Sequence, residues 1–173
     1  MFRTANNKIL GIIFGILVLI GIFLFVFDGG KTERTFREVL VDIDSSAVTE
    51  ILIYPKSQNQ KEVKLFKDKD GWHVTLVSGG SAKVADQRIT SLFEQLLAIK
   101  PKRLAARDES KWNELQVDSS GSRVKVFEGS KLSLDLVIGR FSFQQPRTMN
   151  TFVRLFNDKH VYEVDGFLDM TFN

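Results

Sequence analysis

Hydrophobic positions along this chain follow three rhythms, and each predicts a different kind of element. The first is an unbroken run, Ile9 to Phe27, reading ILGIIFGILVLIGIFLFVF: 19 residues without a charged or strongly polar side chain. As a helix such a run spans roughly 28 Å against a hydrocarbon core of about 30 Å, so it predicts a single transmembrane helix. It ends in Phe25-Val26-Phe27-Asp28, without the small-x-small site at which a secretory signal is cleaved. The expectation is a retained anchor.

The second rhythm has a period of two. Glu38-Val39-Leu40-Val41-Asp42-Ile43 and Ile51-Leu52-Ile53-Tyr54 read as short strands. One pattern then comes three times, as Val63-Lys64-Leu65-Phe66, Val124-Lys125-Val126-Phe127 and Val153-Arg154-Leu155-Phe156. Each is followed by a polar turn, Asp68-Lys69-Asp70-Gly71, Glu128-Gly129-Ser130-Lys131 or Asn157-Asp158-Lys159, rich in residues that accept hairpin geometry. The returning strands alternate again, with Trp72, Val74 and Leu76 in the first and Leu132, Leu134, Leu136 and Ile138 in the second. Three β-hairpins with one buried face follow from this.

The third rhythm belongs to a helix. Ile89, Leu92, Phe93, Leu96 and Leu97 fall at i, i+3, i+4, i+7 and i+8, with Asp86 as the N-cap and Pro101 as the stop. Trp112 marks a second, shorter helix within Glu109 to Leu115. The predicted fold class is therefore α+β and dominated by β: an N-terminal transmembrane helix, then an antiparallel sheet built from hairpins with one main packed helix. The boundaries are a short cytoplasmic tail at 1–8, the membrane helix at 9–27, a linker at 28–36 and an extracytoplasmic domain at 37–173.

Composition narrows this picture. A chain of 173 residues has room for one such domain, and 15 Phe against 3 Pro argue for a folded core. The absence of cysteine removes disulfides, thiolate metal sites and a thiol nucleophile. Two of the 24 Lys+Arg, Arg3 and Lys8, precede the hydrophobic run, which leaves 22 against all 21 acids from Asp28 onward. So even a charge balance offers no field for nucleic acid. With Lys31, Arg34 and Arg37 on the far flank, the positive-inside count leans toward an N-terminus inside. That places the protein in a bacterial inner membrane with its domain facing the periplasm.

Candidate chemistry is sparse. His73 and His160 lie far apart without a local acidic partner, and Asp42-Ile43-Asp44 lacks the glycine and the final acid of a calcium loop. Ser78-Gly79-Gly80-Ser81 lacks the Gly-Lys-Ser/Thr ending of a phosphate loop and reads as a flexible connection. Without a nucleophile–base pair the chain is expected to be no enzyme, with no cofactor and no metal. Three weaker candidates remain. Phe141, Phe143, Gln144 and Gln145 sit in a segment joining the second and third hairpins, its two phenylalanines either tucked under the sheet or displayed to a partner. Gly11 and Gly15 have the spacing that lets membrane helices approach. Lys100, Lys102, Arg103 and Arg107 form the one dense basic run, a solvated strand end or a contact for an anion or lipid headgroup.

The order of Gly71-Trp72, Val84-Ala85-Asp86, Ile138-Gly139, Phe152-Val153-Arg154 and Val161-Tyr162-Glu163-Val164 resembles domain-of-unknown-function family 4340, over about Thr49 to Asn173. One departure stands out: where that family often has an aromatic-Gly-Leu step after its short helix, the stretch Trp112 to Val117 has no glycine. The resemblance implies an accessory protein of gliding-motility-type ABC transporters, with the permease and extracytoplasmic subunits as partners, and it supplies no catalytic residues. The expected function is a non-enzymatic, membrane-anchored interaction subunit of such a complex. The alternative is an envelope module that recognises a glycan or lipid through its sheet face.

Overall fold

Alternating apolar residues pair best with the next alternating stretch when the turn between them can close tightly. At Asp68–Gly71 it does: the Asp68 carboxylate accepts from the Asp70 N–H at 2.8 Å, and Gly71 takes φ +118°. The computed structural model describes residues 37–144 and 148–173, together with Gly11 and residues 13–18. Its strands are β1 (Val48–Tyr54), β2 (Val63–Asp68), β3 (Gly71–Thr75), β4 (Ser81–Lys83), β5 (Pro101–Ala106), β6 (Ser122–Glu128), β7 (Lys131–Gln144), β8 (Thr148–Leu155) and β9 (Val161–Asp165). They form one antiparallel sheet in the order β4-β3-β2-β1-β6-β7-β8-β9-β5. The helices are α1 (Asp86–Leu97), α2 (Trp112–Leu115) and α3 (Asp169–Phe172), with 3₁₀ turns at Lys56–Gln58 and Glu109–Lys111. Arg37–Asn173 form one compact unit and Met1–Phe36 another.

Register stacks the apolar positions into rows. Val74, Leu65, Ile51, Val126 and Leu134 face one another across five strands, and Ile53, Val124 and Leu136 form the next row. α1 closes this face with Ile89, Leu92, Phe93 and Leu96, and Phe93 meets Trp72 edge-on at 5.9 Å. Burying those four helix side chains contributes roughly 6–12 kcal/mol gross. α3 adds Phe172 over β6 and β7. The opposite face holds a second cluster, Ala106, Leu115, Val117, Val137, Phe152 and Val161, beneath the segment that carries α2.

α1 also carries the chain from β4 at one edge of the sheet to β5 at the other. Both edges are unsuited to a further strand. β4 is three residues long, and β5 opens on Pro101, exposes Lys102 and Arg103 and is interrupted by two register shifts.

The architecture corrects the predicted fold class. The described residues form a single nine-stranded antiparallel sheet with a few short helices, not the α+β domain built from hairpins around one main helix. Among the described residues no helix is long and apolar enough to cross a membrane. Within the expected span Ile9–Phe27, Gly11 and residues 13–18 are described and helical. The rest of that span lies outside the described residues, as do the tail and the linker.

Smaller corrections have local causes. The run Glu38–Ile43 forms no strand: Leu40 and Val41 are buried by side-chain packing without a ladder partner. Ala85 occupies the N-cap of α1 without a side-chain bond, and Asp86 sits in the first turn, where its charge suits the helix dipole. Leu97 is exposed, outside the buried stripe. Ser78–Ser81 is no loose connection but the β3–β4 turn, with the Leu76 N–H donating to the Gly80 carbonyl at 3.0 Å.

Candidate functional site

β7 is long enough to leave the core. Between Ile138 and Phe141 its register with β8 shifts by one residue, so Phe141, opposite Thr151, returns to the face that Ile138 occupies. Gly139 sits in this bulge for a steric reason: a Cβ there would collide with the Leu115 carbonyl and come within 2.7 Å of Val117 Cγ1. Beyond the bulge Phe143 faces Met149 of β8. Neither helix covers this end of the hairpin, and Phe141, Phe143 and Met149 remain 48%, 57% and 47% exposed. The Phe141 ring rests edge-on against Phe167 at 4.8 Å. The two phenylalanines thus belong to a strand, not to the connecting segment the sequence suggests. Gln144 is the last residue of that strand, and Gln145 lies outside the described residues.

The basic run is divided by its neighbours. On edge strand β5, Lys102 pairs with Asp165 of β9 at 2.8 Å and Arg103 pairs with Glu163. Glu163 is only 1% exposed and also accepts from Asn150 Nδ2 at 2.6 Å. Lys100 and Arg107 lie exposed to either side. Gly11 and Gly15 are helical, and a Cβ added to either would meet nothing within 4 Å. Each histidine does face a carboxylate, contrary to the sequence reading: His73 Nδ1 stands 3.2 Å from Asp68 and His160 Nδ1 2.8 Å from Asp158. Both pairs lie within a hairpin turn or beside it, at sequence distances too short to mark chemistry.

A third place was invisible in the sequence. Arg154 of β8 occupies the position that Lys64 and Lys125 hold in the other two hairpins, yet it is 3% exposed because α2 folds over it. Its guanidinium lies 3.8 Å from the centre of the Trp112 ring. Nε donates to the Val117 carbonyl at 3.0 Å, and Nη1 reaches the carbonyls of Leu155, Phe156 and Asp158 at 3.2, 2.7 and 3.1 Å. Among the described residues no carboxylate forms an ion pair with it, and burial pushes it below its ordinary pKa. Beside it Arg123 lies 3.3 Å over the Phe156 ring while its Nε and Nη2 each hold an Asp135 oxygen at 2.7 Å. These side chains line a cavity of about 250 Å³ that Gln60 and Val137 complete. The only advance sign of it was an arginine where the repeated pattern twice has lysine.

The sequence model of the family described as Domain of unknown function (DUF4340) matches residues 72–173. The chain belongs to this family. The DUF4340 region begins at Trp72, later than the resemblance from Thr49 implied, and takes in β7, β8, the basic strand and Arg154, while β1 and β2 precede it. No curated protein matches the chain, and no solved structure does.

Proposed function

We propose that this DUF4340 protein is a non-enzymatic interaction subunit of a cell-envelope ABC-transporter complex of the gliding-motility type, and that it docks on a transporter subunit through the far end of the β7–β8 hairpin. The observation that carries this reading is the exposure of Phe141, Phe143 and Met149 together on one face of a paired hairpin. Apolar side chains clustered this way on a rigid element are the usual anchors of a protein interface. Strand addition at the edges is a poor alternative, because β4 is short and β5 is charged and bulged. The transporter as partner rests on the family resemblance.

Co-purification of the full chain in mild detergent tests the reading. Wild-type protein should bring down transporter subunits, and Phe141→Ser with Phe143→Ser should reduce the recovery at least roughly tenfold at unchanged circular dichroism, the loss expected when two anchors of more than about 1 kcal/mol each are removed. Undiminished recovery by the double variant, or a protein isolated alone with bound glycan or lipid, would overturn it.

A further inference from the structure

The cavity at Arg154 holds a positive charge without a direct ion pair among the described residues, although Glu109, Asp118 and Asp135 stand near enough to favour it. Nε and Nη1 carry all four of its bonds to carbonyls, and among the described residues none accepts from Nη2. Nη2 is not among the fully enclosed polar atoms that lack a partner, so it stays open to the cavity that Arg154 lines and can donate to whatever enters it. Asp118 lines the same cavity but is committed elsewhere, one oxygen taking the Ser120 N–H and hydroxyl at 2.9 and 2.6 Å, the other facing Asn113 Nδ2 at 3.3 Å. Arg123 is likewise matched by Asp135. What the cavity offers a ligand is one open N–H donor on a cation, at Nη2.

Its walls also limit the rest of the ligand. Trp112 and Phe156 offer aromatic surface and Val137 an aliphatic floor, so an apolar body fits beside the charge. The rim is built under strain. Asn59 and Gln60 take consecutive left-handed conformations, φ +52° and +57°, and Gln60 Nε2 donates to the Gly121 carbonyl at 3.0 Å, tying that turn to the 119–121 loop. Strained backbone held in place by such ties is characteristic of ligand sites.

We propose that this cavity binds a carboxylate carried on a small apolar or aromatic body, the carboxylate oxygen accepting from Arg154 Nη2 and the body packing between Trp112 and Phe156. The site is independent of the docking end of β7–β8, and its failure would leave that reading intact.

Trp112 is its own reporter. In the full chain, Trp72→Phe leaves Trp112 as the one remaining tryptophan. Benzoate should change its fluorescence saturably, whereas benzamide, of the same shape without the charge, should not, and inorganic phosphate should bind more weakly than benzoate. Arg154→Lys should weaken benzoate at least roughly tenfold, since the directed N–H is lost although a charge remains. Because Arg154 also ties down four carbonyls, Phe156→Ala at a half-exposed wall is the second variant, and it too should weaken benzoate. N-acetylphenylalanine compared with benzoate tells whether a chain end or a free small acid is preferred, and tighter binding of either acid supports the site. No saturable response to either acid, an equal response to benzamide, or tighter binding of phosphate would overturn it.

Discussion

Gln116 holds φ +54° at the end of α2, where its N–H bonds back to Asn113 and Trp112. That left-handed position favours glycine. Gln116→Gly should therefore stabilise the protein by about 1 kcal/mol. Gly139→Ala should do the reverse by at least about 3 kcal/mol, since the added methyl meets backbone that the β7 bulge holds fixed. Urea midpoints of the two variants test both signs. The two tyrosines make a further test. Burial, then a 2.6 Å hydrogen bond to Glu62, pushes Tyr54 up to about 12, and burial raises Tyr162 as well. A phenol whose folded pKa is raised contributes stability below its unfolded value near about 10 and loses it as pH climbs through about 12. Tyrosinate absorbance at pH values around 10 should therefore be lower in the folded protein than after unfolding. Residue by residue, turn chemistry was legible in advance, because Asp and Gly act through their own backbone. Arg154 and the carboxylate partners of the histidines were not, because their environments come from segments distant in the chain or from the exact path of a turn.

Hairpins form by neighbouring stretches meeting across short turns, so the pairings of β2 with β3, β6 with β7 and β8 with β9 could be read from alternation alone. Elements whose partners lie far away were harder. β5 pairs with β9 some sixty residues later, and the run Glu38–Ile43, equally strand-like in composition, joins no ladder and buries Leu40 and Val41 instead. Composition reports a preference for a pleated, half-buried surface, and topology decides which stretch obtains one. The tie between β5 and β9 has a measurable worth. Arg103→Met removes the cationic partner of the buried Glu163 and leaves it Asn150, which should cost about 2 kcal/mol after allowance for the exposure of Arg103. Adding Glu163→Gln should recover part of that loss in the same denaturation experiment, because the unpaired buried charge is then gone.

At the scale of the described domain, one sheet serves two cores and leaves the apolar far end of β7–β8 uncovered. α1 and α3 cover the first face, and the segment bearing α2 covers part of the second, above Arg154. With the edges blunted, the far end of β7–β8 is the surface proposed to hold a partner. A photo-crosslinking residue placed at Phe143 of the full chain in its native cell examines that claim most directly, with Lys64 on the opposite sheet face as the control position. The account predicts crosslinks to a transporter subunit from position 143 and none from position 64. Crosslinks absent at 143, or equally strong from both positions, would contradict it.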